Sequence, residues 1–214
     1  MKVVQSLVSP SKYNIKCPYT MTAEFIVVHN TANDASAENE IAYMVRNDNT
    51  VSFHYAIDDK KIIQGIPENR NAWHAGDGTN GKGNRKGLAI EICYSKSGGQ
   101  KFIEAEKLAA KFIASKLKEK NWGIDKVKKH QDFSGKYCPH RTLDMGWQRF
   151  LDMVQAEMNS VIKLDILGKK VTVAGVNKNN TNYITLEGKE IPIRTVLEAL
   201  GFTVEGKGNE VVAK

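Results

Sequence analysis

Residues 25–30 read FIVVHN. An unbroken apolar run of this length, rich in β-branched side chains, reads as a buried strand with His29 at its C-terminal end. Farther along, LAIEICYS (88–95) has the same texture with one interruption. Leu88, Ile90 and Ile92 share one face of that strand; Ala89, Glu91 and Cys93 share the other. Between the two runs, VSFHYAID (51–58) alternates. Val51, Phe53, Tyr55 and Ile57 are expected to point one way, and Ser52, His54 and Ala56 the other. KKIIQGIP (60–67) is its hairpin partner, turning through Asp58-Asp59.

Helical periods fill the gaps. In TANDASAENEIAYMVRND (31–48), Ala37, Ile41, Met44 and Val45 make one face, with Asp34 or Ser36 as the cap. Residues 102–120 are amphipathic, with Ile103, Leu108, Phe112, Ile113 and Leu117 inward and lysines outward. A last helix is expected from Thr142 to Met158, burying Trp147, Phe150, Leu151, Val154 and Met158. AGDGTNGKGNRKG (75–87) and HQDFSGKYCPH (130–140) are read as loops, the first too rich in glycine for regular structure. Strands alternating with helices define an α/β chain. The texture changes near residue 160 to short alternating strands and glycine turns, with RTVLEALG (194–201) as a short helix stopped by Gly201. The expected division is a first domain over 1–159 and a small α+β module over 160–214.

Net charge is +7, spread along 214 residues without a dense basic block. That suits nucleic acid, anionic lipid or an acidic polymer such as a bacterial wall. Nucleic acid loses ground because no recognised binding motif is present. No apolar run approaches the roughly 20 residues that span a bilayer, which argues against a membrane partner. The opening MKVVQSLVSPSKYNIK lacks the apolar stretch and cleavage site of a secretory signal. Synthesis in the cytoplasm, with export by another route, is the expectation. Cys17, Cys93 and Cys138 are too few, and odd in number, for a disulfide framework.

Taken singly, His29 is a polar residue at the edge of a core, His130 ends a lysine-rich stretch, and Cys138 is a small buried residue. Together they are a zinc donor set: two imidazoles and a thiolate, leaving a fourth position open. Spacing alone leaves both readings standing. Glu91 sits among apolar neighbours, where an unpaired carboxylate costs several kcal/mol. It either faces water on an edge strand or serves as a general base. Lys136 is either solvated or placed to stabilise an oxyanion.

The segments FIVVHNTA, FHYAID, AWHAGDG, GLAIEICYS and HQDFSGKYCPH, in this order, resemble the zinc amidase family. These are N-acetylmuramoyl-L-alanine amidases of the phage-lysozyme and peptidoglycan-recognition-protein type, with phage endolysins and autolysins of Gram-positive bacilli and clostridia most similar. The resemblance covers residues 20–155. It implies a mixed central β-sheet flanked by helices, with zinc in a groove held by His29, His130 and Cys138. It also implies Glu91 as general base, Lys136 as catalytic lysine, and hydrolysis of the amide between N-acetylmuramic acid and L-alanine in bacterial peptidoglycan. Such an enzyme acts at the wall after holin-type release. Some relatives carry a catalytic tyrosine where this chain has Phe53, which has no hydroxyl, so the proton-transfer role falls to Glu91. Thr31, Asn33, Trp73 and His74 are expected substrate contacts, with a place in the core as the alternative for Trp73 and holding the loop as the alternative for His74. The alternative is a zinc-containing peptidoglycan-binding protein without turnover, against which the presence of Cys138 argues. The C-terminal module loosely resembles wall-binding modules, with a dimerisation or structural role as its alternative.

Overall fold

The computed structural model describes residues 1–159 and, beyond them, six strands and Leu197. In chain order the elements begin with β1 (Val3–Gln5), a 3-10 turn at Pro10–Lys12, α1 (Tyr13–Lys16), β2 (Phe25–Asn30), α2 (Ala37–Arg46) and β3 (Tyr55–Ile57). Then come β4 (Ile62–Gln64), α3 (Lys82–Lys86), β5 (Gly87–Ile92), α4 (Gly99–Glu119) and β6 (Val127–Lys129). Three helices follow: α5 (Gln131–Ser134), α6 (His140–Asp144) and α7 (Trp147–Met158).

Six strands form one sheet in the order β1-β4-β3-β5-β2-β6. Strands β3, β5, β2 and β6 run parallel; β3 and β4 form the antiparallel hairpin, and β1 pairs parallel to β4. The sheet is therefore mixed, as the resemblance implied. β2 is buried from Ile26 to Asn30, and this is why it reads as an unbroken apolar run: it lies between parallel neighbours with both faces covered. On one face α2 packs through Ala37, Ile41 and Met44 against Ala56, Ile63, Ala89 and Cys93. On the other face α4 meets the sheet, with Phe112 edge-on to Tyr55 at 4.8 Å.

Several local expectations are corrected. The strand read from Val51 begins at Tyr55, and Val51 is 62% exposed. Phe53 joins the α2 side of the core with Ala56, while Tyr55 packs on α4. The period-2 reading fails before Tyr55 because residues 51–54 are not in the ladder. The hairpin turn spans four residues. The Asp58 carboxylate closes it, accepting from Lys60 N and Lys61 N at 2.8 and 2.7 Å and, through its other oxygen, from Ala37 N at the start of α2. The buried stripe of α4 centres on Phe102, Ala105, Ala109, Phe112, Ile113 and Leu117, with Ile103 and Leu108 half-buried. The last helix is broken into α6 and α7 at Gly146, whose φ of 104° lies outside helical space and suits glycine. Both glycine-containing loops hold a helical turn, α3 and α5.

The chain divides into two units, Met1–Val154 and Gln155–Lys214. The second contains three antiparallel pairs: β7 (Val161–Ile166) with β8 (Lys169–Ala174), β9 (Tyr183–Leu186) with β10 (Lys189–Pro192), and β11 (Val204–Lys207) with β12 (Glu210–Ala213). These are the short strands read from the sequence. Of the helix expected over 194–201, Leu197 alone is among the described residues.

Candidate active site

The register of the parallel strands assembles the site. His29 on β2 pairs with Glu91 on β5, so their side chains leave the same face of the sheet as neighbours. Val28 pairs with Lys129 on β6, and His130 follows at once, its N–H bonded to the Val28 carbonyl at 3.3 Å. Three strand ends thus deliver three functional groups to the carboxyl edge of the sheet, where open α/β sheets bind their ligands.

Cys138 arrives from the loop after α5. Gly135, in the left-handed region at φ 75°, ends α5 and turns the chain back. The Gln131 N–H bonds the Cys138 carbonyl at 3.0 Å, and a cis Cys138-Pro139 bond follows. Asn30 locks this turn from the other side. Its Oδ1 accepts from Arg141 N and Thr142 N at 3.0 and 3.1 Å, capping the first turn of α6 with a side chain from the end of β2.

His29, His130 and Cys138 are 2, 6 and 5% exposed. Each offers a donor atom, and the three atoms lie within 4.8 Å of one another. His29 turns Nδ1 toward Cys138 Sγ, 3.8 Å away. Neither ring nitrogen of His130 has a hydrogen-bond partner, although both are buried. A buried imidazole without a partner is costly unless something else takes its lone pair. Burial, with His74, His130 and Lys136 around it, pushes His29 well below the ordinary histidine value, and burial and Lys136 lower His130. Both rings are therefore neutral, the form that binds metal. Burial and Glu91 push the Cys138 thiol up to about 11. Two imidazole nitrogens and one sulfur, converging and otherwise unpaired, fit a zinc ion.

The trio lies at a cavity of about 1250 Å³ that Thr31, Phe53, Trp73, His74, Glu91 and Lys136 also line. Glu91 Oε2 and Thr31 Oγ1 are buried atoms without partners there. Burial, with Glu40 behind it, pushes the Glu91 carboxyl up to about 8, against the pull of Lys136. Lys136 is exposed at the mouth, two residues before Cys138. Trp73 lines the cavity, but its indole N–H is spent on the Ile15 carbonyl at 3.0 Å. Asn33 is not among the lining residues. Its amide serves its own loop, accepting from Ala35 N and donating to Glu40.

Sequence reading missed the far rim, where Tyr19, Asp48 and Thr50 line the same cavity. Lys12 and Lys16 hold that rim. Lys12 donates to the Arg46 carbonyl at 2.6 Å, and the fully buried Lys16 donates to Asn47 Oδ1 and the Val51 carbonyl at 2.8 and 3.2 Å. No local pattern marks these residues, because their partners lie more than 30 positions away.

A carboxylate, an ammonium and a metal-fit donor trio at the carboxyl edge of a mixed sheet define a class, the hydrolases. Comparison with known proteins makes it particular. The family described as N-acetylmuramoyl-L-alanine amidase matches residues 19–141. The amidase CwlA of Bacillus subtilis (strain 168) is 55% identical over 195 residues, 88% of this chain and 71% of that protein. XlyB of the same organism, also named an N-acetylmuramoyl-L-alanine amidase, is 54% identical over 187 residues, 87% of this chain and 57% of that protein. The solved structure of PlyL is 54% identical, with a TM-score of 0.70 over 72% of this chain and 97% of that one. This chain belongs to the N-acetylmuramoyl-L-alanine amidase family.

Proposed function

We propose that this chain is a zinc-dependent peptidoglycan hydrolase that cleaves the amide between N-acetylmuramic acid and L-alanine. The observation that carries the reading is the convergence of the His29, His130 and Cys138 donor atoms beside the unpaired Glu91 oxygen. Zinc held by those three residues would supply Lewis acidity toward a carbonyl and acidity to water. The remaining work falls to side chains. Glu91 takes a proton from the attacking water as oxygen adds to the lactyl carbonyl carbon. When the C–N bond breaks, Glu91 returns that proton to the alanine nitrogen, releasing a carboxylate and a free amine. A carboxyl held near neutral pH suits both halves of this exchange. Lys136 places a positive charge at the cavity mouth to stabilise the oxyanion. Phe53 lines the cavity without a hydroxyl, which leaves the proton transfers to Glu91. Thr31 and Trp73 are the wall contacts this reading retains.

The wall polymer is the proposed partner, reached from the cytoplasm through a holin-type pore. The module over 160–214 is proposed to hold the enzyme on that polymer.

The test is digestion of Gram-positive peptidoglycan by the purified protein, with its metal content measured alongside. Free N-terminal L-alanine should appear without new reducing sugar ends. Glu91→Gln should lower the rate by about 100-fold or more while wall binding persists. Wall binding without any release of alanine from the unaltered protein would instead make it a binding protein. Full activity in Glu91→Gln would remove the base assignment.

A further inference from the structure

His74 lines the cavity, yet its ring does its work behind the donor trio. Its Nδ1 lies 3.0 Å from His29 Nε2, and the two rings stand almost perpendicular at 87°. The opposite nitrogen of His29, Nδ1, is the one that faces Cys138 Sγ at 3.8 Å. Proton placement on these atoms then has one solution. A nitrogen that gives its lone pair to a metal carries no proton. With Nδ1 on the metal side, a neutral His29 must keep its proton on Nε2 and donate it to His74 Nδ1. His74 Nδ1 is then bare, and its own proton sits on Nε2, a buried atom with no hydrogen-bond partner among the described residues.

We propose that His74 is a positioning residue for the metal centre: as a neutral hydrogen-bond acceptor it fixes the tautomer and ring plane of His29. The inference rests on the metal reading given above. Metal-bound histidines commonly hand their second N–H to an outer partner, most often a carboxylate or a carbonyl. An imidazole in that place adds no charge, so two neutral rings and one thiolate around a divalent ion stay at net +1.

The surrounding loop is built to hold His74 still. Asn84 Oδ1 accepts from both His74 N and Ala75 N at 2.8 Å, and Asn84 Nδ2 donates to the Gly78 carbonyl at 3.1 Å. Asp77 in turn accepts from Gly83 N and Asn84 N at 2.7 and 3.2 Å. The stretch from His74 to Gly87 is thus a brace, with α3 as its far end and the His74 ring as its contact with the metal site. A residue used only for substrate would need no bond to the buried side of a donor.

The experiment is zinc affinity by chelator competition on the full chain, for the unaltered protein, His74→Ala and His74→Asn. Nitrogen-15 chemical shifts of the zinc-loaded unaltered protein are recorded in parallel. His74→Ala should bind zinc about 10- to 100-fold more weakly. His74→Asn should recover most of that loss, because its Oδ1 stands near the place of Nδ1 and accepts the same proton. The shifts should show His29 protonated on Nε2. Unchanged affinity in His74→Ala, no recovery in a folded His74→Asn, or a His29 proton on Nδ1 would each overturn the proposal. If His74→Ala fails to fold, the asparagine variant and the shifts still decide. Failure of the unaltered protein to bind zinc would instead overturn the metal reading itself.

Discussion

His54, just before β3, and Glu91 on the adjacent β5 show how differently two titratable side chains can be used. His54 Nδ1 accepts from Ala89 N and its Nε2 donates to the Arg70 carbonyl, each at 2.9 Å. Burial pushes it down to about 4, so it is a neutral clamp with no proton left to trade. Glu91 has an oxygen with no partner at all, and that vacancy is what makes it available for chemistry. Glu68 is a third case. Burial alone would raise its pKa, but the Tyr55 hydroxyl at 2.6 Å and the Lys116 and Lys120 ammoniums hold it at about 2. In the unfolded chain the carboxyl returns to its ordinary value of 4.5. The folded form therefore binds this proton less tightly, and the resulting stability is complete above about 4.5 and fades as pH falls toward 2. Glu68→Gln should lose stability at neutral pH and melt with a shallower pH dependence between these limits, as read by calorimetry. Parallel acid limbs for the two proteins would refute this. Among the candidate site residues, His29, Glu91, His130, Lys136 and Cys138 were singled out in the sequence by their flanking motifs, and the structure brings all five to one cavity. Asn33 was not legible, because nothing local shows that its amide is spent on its own loop, and nothing local shows that the His74 ring, which does line the cavity, also turns toward a strand 45 residues away.

At the level of elements, legibility followed burial. β2 and β5 announce themselves because strands between parallel neighbours need apolar side chains on both faces. The period of α4 is equally plain. α3 and α5 were read as loop because neither is stabilised by its own composition. α3 is held by Asp77 and Asn84 reaching backbone N–H groups and carbonyls, and α5 starts with Asp132 accepting from Lys129 N at 3.0 Å. Glycine in α3 has a packing reason. A Cβ at Gly83 would lie 2.4 Å from the Ala75 Cβ and 2.9 Å from the Phe133 ring. Gly83→Ala should therefore cost about 1–3 kcal/mol by overpacking, despite alanine's better helix propensity. Because Ala75 follows His74, it should also weaken zinc binding. A thermal melt and a zinc titration check both effects, and a variant as stable as the parent would show that the loop yields freely.

On the scale of the whole molecule, the class was readable but the strand order was not. The pairing of His29 with Glu91 depends on β5 lying beside β2, though the 56 residues between Asn30 and Gly87 separate them in the chain. Nothing in a single sequence fixes that adjacency. The proposed role of the module over 160–214 also belongs to this scale. A chain ended at Asn159 should keep its rate on small soluble wall fragments and lose about 10-fold or more on intact wall at low enzyme concentration. Equal rates on both substrates would deny the module a targeting role. One further consequence follows from the route the chain takes to its donors. Cys138 comes 109 residues after His29. During synthesis the ribosome releases the first imidazole early and the thiol late, so the cage stays open through most of translation. A product that stalls before Cys138 lacks the thiol of the proposed donor set, so unfinished copies are expected to carry no metal centre and no hydrolase activity.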